Sequence, residues 1–326
     1  MIKIKLSTHN YSHSIRAEML SHTPNNSGKW GNFQFFINEH VSECDYWVVV
    51  DCLPEKESAL CPKNNLIFIT CEPSAIKKYN QKFLSQFSKI ITSQRNIKHP
   101  AVYHMPSGHE WWPKKSFDEL YGHDKVEKTK LISIVASNKI YTPGHKKRLE
   151  FCLNLKNYFG DKIDMFGRGT RAFEDKWDVL APYKYSIAIE NSTEPDYISE
   201  KFTDCFVCLT FPFYYGCPNV HDYYDENSYQ TIDIGDFKKS CDMIEKIVDD
   251  KDHYNRHLQN LIATKNKYLT QRLIMPLIAD FIKKEYSAVA GSLKERITIR
   301  PEREFQKIMY AISDIKKFLI KIKTKI

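Results

Sequence analysis

Residues 183–206, YKYSIAIENSTEPDYISEKFTDCF, join an apolar run to a polar cluster and then to a second apolar run. Ser186 to Ile189 reads as a strand, and the segment from about Ile198 reads as a helix. Four carboxylates (Glu190, Glu194, Asp196 and Glu200), together with Asn191, Tyr197 and Lys201, gather where one gives way to the other. A strand feeding a helix through a polar loop is the repeating unit of an α/β sheet, whose ligands bind outside the carboxyl ends of the strands. The loop is therefore the first place to look for chemistry.

The same pattern extends in both directions. Ahead of the loop run KLISIVAS, a helix HKKRLEFCLNLKNYF and KIDMFGR; behind it run SEKFTDCFVCL, TFPFYYG and YQTIDIG. Residues 1 to about 125 form an earlier series, MIKIKL, DYWVVVDCL, NLIFITCE, KIITS and AVYHM. Runs such as VVV and LIFI are apolar without alternation, as expected of parallel strands covered on both faces. A charged spacer at 114–131 separates the two series. With 326 residues the chain exceeds the usual single-domain size, and its 42% hydrophobic content fills two cores. The sequence predicts an α/β protein of two Rossmann-like doubly wound domains, 1–128 and 129–290, followed by a basic amphipathic tail over 291–326.

Charge and cysteine usage narrow the classes. The net charge is +8, of which +5 falls between Arg300 and Ile326. A nucleic-acid binder needs basic residues across its docking face, so a tail-borne excess argues against that class. In the last 22 residues Ile308, Ile312, Ile315, Leu319 and Ile322 recur at helical spacing among lysines. Such a helix suits an anionic membrane surface, a partner chain or the N-terminal domain. No window is long and apolar enough to span a bilayer, and MIKIKLSTHN reads as a strand rather than a signal peptide, so a cytoplasmic location is expected. Nine cysteines, several inside apolar runs, read as buried free thiols. Cys205, Cys208, Cys217 and His221 have metal-ligand spacing, but the first two sit in an apolar helix and read as core. Asp233 and Asp236 stand three apart rather than two, so they do not make a metal-binding DxD pair.

IVASN at 134–138, a basic helix containing Arg148, DMFGRG at 164–169, the 183–206 string and YQTIDIGDF at 229–237 occur in an order that resembles glycosyltransferase family 10, the α-1,3/4-fucosyltransferases of bacterial type. The resemblance covers about 130 to 260 well and the N-terminal third loosely. It departs in Ile189, where Phe is common, and in the YYGCPNV segment. It implies a GT-B fold, with the two domains facing a cleft, and an inverting transfer of L-fucose from GDP-fucose to a surface-glycan acceptor. No cofactor is implied, a divalent metal being at most stimulatory.

The donor side is assigned to Asn138, Arg148, Glu190, Asn191, Tyr197, Glu200 and Lys201. Arg148 and Lys201 suit a pyrophosphate whose charge grows as the glycosidic bond breaks. Carboxylates, amides and Tyr suit ribose and sugar hydroxyls. The resemblance implies that Glu200 either binds ribose or steadies the charge on the transferred sugar; Glu190 either joins the donor site or satisfies backbone groups beneath the loop. The general base is assigned to Glu72, which follows the IFIT run, with helix capping before SAIKKY as its rival. His109, Trp111 and Trp112 in HEWWP are acceptor candidates, with interface burial as the competing reading. Two other functions remain open: transfer of another GDP-deoxyhexose, and a non-catalytic glycan-binding or membrane-associated protein on the same scaffold.

Overall fold

The computed structural model describes residues 1–285 and 293–305. It divides into two compact units. The first comprises Met1–Glu18, Gly31–His104 and, of the described residues, 293–305; the second comprises Met19–Trp30 and 105–285.

Six parallel strands of the first unit's sheet stand in the order Phe33–Ile37, Ile2–Ser7, Tyr46–Val50, Leu66–Ile69, Lys89–Thr92, Val102–His104. Every residue of Tyr46–Val50 and Leu66–Ile69 is buried, the condition that the unbroken VVV and LIFI runs anticipate. Trp47, Phe68, Phe83, Phe87 and Ile90 pack in one core cluster. The chain begins on the second strand, steps outward once, and then crosses back, so the topological switch lies between Ile2–Ser7 and Tyr46–Val50.

The second unit repeats this plan. Its sheet is parallel, in the order Ile163–Phe166, Lys130–Val135, Tyr183–Ile189, Phe211–Tyr215, Gln230–Thr231. The helix Pro143–Phe159 connects the Lys130–Val135 strand to its neighbour, the edge strand Ile163–Phe166; the helix Glu200–Val207 connects Tyr183–Ile189 to Phe211–Tyr215. The switch therefore lies between the ends of Lys130–Val135 and Tyr183–Ile189. Both helices begin with side-chain caps: the Thr142 oxygen accepts from the His145 N–H, and the Ser199 oxygen from the Lys201 N–H. Lys128 closes the other end of the second helix, donating to Cys208 O at 2.8 Å and Ala181 O at 2.7 Å.

Two expectations need correction. Residues 105–128 belong with the second unit, because Trp111, Phe117 and Leu120 are buried in its core. The start of the tail is a strand: Glu295–Ile299 pairs antiparallel with Glu57–Cys61, with Ile299 buried in the first unit. Beyond it Glu302 is buried and accepts the Asn80 N–H at 2.5 Å. The amphipathic pattern at 306–326 lies outside the described residues. Among the described residues no helix is long and apolar enough to cross a membrane.

Candidate active site

The carboxyl ends of Lys130–Val135 and Tyr183–Ile189 are bridged by one guanidinium. Arg148 stands on the second turn of the helix Pro143–Phe159 and is only 4% exposed. It donates to the Asn191 side-chain oxygen beyond one strand, and to Ser137 O at 3.5 Å and Ser137 Oγ at 3.3 Å beyond the other. Its Nε–H is buried and has no partner among the described residues. A buried guanidinium held on two edges with a donor to spare fits an anion better than a surface charge does.

The helix N-terminus closes on the same place. A Cβ added at Gly144 would lie 2.1 Å from the Asn191 carbonyl oxygen, so the first turn touches the loop backbone. His145, buried one residue on, faces Thr142 Oγ1 at 2.7 Å through Nδ1. Burial, with the charges of Arg148, Lys139 and Lys201, lowers its pKa, which leaves the imidazole neutral at neutral pH. The FGRG glycines brace the opposite rim. Gly167, at φ +130°, packs on the Ala136 carbonyl, and Gly169, at φ +89°, on the Asn138 side chain. Asn138 itself is exposed, and its N–H donates to Arg168 O at 3.0 Å.

Lys201 and Glu200 open the following helix. Lys201 Nζ contacts Ser199 Oγ at 3.0 Å and Glu200 Oε1 at 3.1 Å. Burial works against its charge, but Glu200 and Glu190 outweigh it and raise its pKa. Burial likewise works against the Glu200 carboxylate, yet Lys201, Lys176 and His109 hold it well below the usual range. Tyr197 is buried, with the His109 ring edge-on at 6.4 Å. The second unit therefore brings Arg148, Asn191, Tyr197, Glu200, Lys201 and His109 to one group of loops at its strand ends.

Glu190 has the other role open to it. It is 2% exposed, and its two oxygens accept the Ser199 N–H at 2.7 Å and the Ser199 hydroxyl at 2.6 Å. A Cβ at Gly216 would lie 2.4 Å from its Cγ, so the next loop seals it in. It braces the N-cap of the Glu200 helix from below. Trp111 also gives way as an acceptor contact: it is fully buried, its ring 3.9 Å from that of His22 and its N–H donating to Lys115 O. Trp112 is 65% exposed.

In the first unit, Glu72 follows the buried strand Leu66–Ile69 at its carboxyl end. Gln94 Nε2 pins its loop by donating to Glu72 O at 2.8 Å and Lys77 O at 3.0 Å. The aspartates of TIDIGD are used locally: Asp233 Oδ1 accepts the Gly235 N–H, and Asp236 caps the helix Phe237–Asp249. Cys205 and Cys208 are core residues, and among the described residues no three His, Cys, Asp or Glu gather as metal ligands. A pocket of about 550 Å³ is lined among others by Thr193 of the same loop, Gly216, Cys217, Tyr229 and Ile232. Sequence reasoning did not find Ser137, Gly144, His145 or this pocket. The Thr142-Pro143-Gly144 helix start was the available signal for two of them.

Residues 125–278 match the model of the glycosyltransferase family 10 (fucosyltransferase) C-terminal domain. The chain is 33% identical over 102 residues to alpha-(1,3)-fucosyltransferase B of Drosophila melanogaster, covering 30% of this chain and 23% of that protein. It is 30% identical over 116 residues to alpha-(1,3)-fucosyltransferase FucT of Helicobacter pylori, covering 34% of this chain and 24% of that protein. The matched segments thus span about a quarter of these relatives' length. A crystal structure of an alpha1,3-fucosyltransferase with GDP-fucose is similar in fold at TM-score 0.52, with 18% identity, 90% of this chain and 93% of that chain covered. The fold is GT-B, built from two Rossmann-like units, and the segment at 125–278 is similar to the C-terminal domain of glycosyltransferase family 10.

Proposed function

We propose that the chain transfers L-fucose from GDP-fucose to a hydroxyl of a surface-glycan acceptor of the lipopolysaccharide or O-antigen kind, with inversion and an α-1,3 or α-1,4 linkage. One observation carries this reading: Arg148 lies buried across the switch point with a spare donor, near a helix N-terminus, while Lys201 opens the next helix. Those groups suit a pyrophosphate leaving group, because they meet its growing charge without reorganising. They neutralise it without requiring a divalent metal. Asn138, Asn191, Tyr197 and the ionised Glu200 present polar groups to the nucleoside and sugar hydroxyls. Glu72 takes the proton of the acceptor hydroxyl as its oxygen bonds to the anomeric carbon and the bond to phosphate breaks. His109 and the exposed Trp112 serve the acceptor side. The lysine-rich C-terminus holds the protein at the inner face of a membrane, near lipid-linked acceptors.

Calorimetric titration with GDP and with UDP, in chelator, tests the donor site. Binding of GDP in preference to UDP is expected; equal binding, or binding only with metal, would sink the proposal. Glu72→Gln tests the base: GDP affinity should hold while transfer falls by about two to four powers of ten, the range for loss of a positioned base. Near wild-type transfer would move the base elsewhere.

A further inference from the structure

Beneath Glu200 lies an ion pair with no part in the donor site as described above. Asp204 follows Glu200 by four residues on the same helix face and is fully buried. Lys176, 7% exposed, reaches it from the short helix Lys176–Leu180, with Nζ 2.7 Å from Asp204 Oδ2. The other carboxylate oxygen accepts the Trp112 N–H at 3.2 Å, and Lys176 Nζ stands 5.9 Å from the Trp112 ring centroid. One pair thus touches both the helix that begins with Glu200 and Lys201 and the loop that presents the exposed indole.

We propose that Lys176 and Asp204 are positioning residues that fix the first turn of the Glu200 helix, and with it Glu200 and Lys201, against the Trp112 loop. This rests on the reading of that turn as the donor-phosphate site. A buried ion pair contributes little net stability over well-packed apolar side chains, whereas removing one partner leaves an uncompensated charge. The placement of the charges is therefore more informative than their energy. Lys201, Glu200, Lys176 and Asp204 alternate in sign, and the field of Lys176 acts on both carboxylates. Without Lys176, Asp204 is a buried carboxylate one turn from Glu200 with no counter-charge, and Glu200 loses one of the cations that hold it.

The groups acting on Asp204 are Lys176 and Glu200, with the Trp112 N–H from the facing loop; Cys205, Cys208 and Tyr268 in turn feel its charge. Burial pushes its carboxyl up to about 6 against the pull of Lys176. Protonation below that pH leaves Lys176 without its counter-charge, so its attraction falls on Glu200 and competes with Lys201.

The test uses the full chain with GDP as the probe, titrated between pH 5 and 8. Wild type should lose GDP affinity as pH falls through the region of pH 6. The double variant Lys176→Met with Asp204→Leu keeps volume and neutrality, so its melting temperature should stay within about 5 °C of wild type. It should bind GDP about tenfold more weakly, as a coupling of about 1.4 kcal/mol gives, and should keep only the part of the acid limb that protonation of the GDP terminal phosphate itself produces. Lys176→Met alone should weaken binding further or unfold, and the double variant separates those causes. A double variant with wild-type affinity and pH dependence overturns the proposal and makes the pair purely structural. Wild type that binds no GDP at any pH overturns the donor-site reading instead.

Discussion

Replacing Gly144 by Ala separates helix stability from donor binding. Propensity alone favours the change, since Ala exceeds Gly by about 1 kcal/mol inside a helix. The geometry opposes it. The new Cβ would lie 2.1 Å from the Asn191 carbonyl oxygen and 3.1 Å from its carbon, both backbone atoms. A carbon and a carbonyl oxygen come no nearer than about 3.3 Å, so the helix start and the loop must part by roughly 1.2 Å. That movement pulls Asn191 from Arg148, a hydrogen bond to a charged group worth about 1.5–3 kcal/mol. A misplacement near 1 Å costs about a hundredfold in a positioned reaction. Gly144→Ala should therefore melt within a few degrees of wild type while GDP affinity and transfer fall by one to two powers of ten. Gly160→Ala is the control: at φ +55° it strains the helix end but meets nothing within 4 Å, so it should cost stability and spare GDP binding. A Gly144→Ala protein that binds GDP within twofold of wild type would refute the claim that this helix start is fitted against the loop.

Other outcomes follow from the same geometry. Glu190→Ala leaves the Ser199 N–H and hydroxyl buried without their acceptor, so it should cost about 3 kcal/mol in denaturant unfolding. A large loss of GDP affinity with unchanged stability would return Glu190 to the ligand. Burial, with His257 and Arg256, pushes the His253 imidazole down to about 4, below its usual 6.5. The native state thus favours neutral His253, and its contribution is present above pH 6.5 and is lost as pH falls through 4. His253→Gln should flatten the decline in stability over that window, and an unchanged slope would assign the decline to other groups. Ending the chain before residue 293 removes the strand Glu295–Ile299 and the Glu302 contact, so it should lower the denaturant midpoint of the first unit. Ending it after 305 should weaken binding to anionic vesicles; undiminished vesicle binding would place membrane contact elsewhere.

Local pattern sufficed for most strands and helices and for the loop at which candidate residues gather. The unbroken runs at Tyr46–Val50 and Leu66–Ile69 announce buried parallel strands, because flanking layers on both faces impose one hydrophobic requirement on every position. The apolar run ending at Ile189, the Ser199 cap and the polar residues between them announce a strand-loop-helix unit with a site at its join. Those signals reach only a few residues along the chain. Tertiary structure decided matters that depend on distant segments. Arg148 bridges two strand ends because a strand order that no local pattern encodes sets Ser137 and Asn191 on neighbouring edges. Glu190 and Glu200 are similar carboxylates in one loop, yet the first is consumed by Ser199 while the second is flanked by Lys201. Trp111 and Trp112 are adjacent in sequence, but the second unit's core takes one and leaves the other to solvent. Residue type and spacing limit what a side chain can do, while its burial and partners are set by segments far away in the chain.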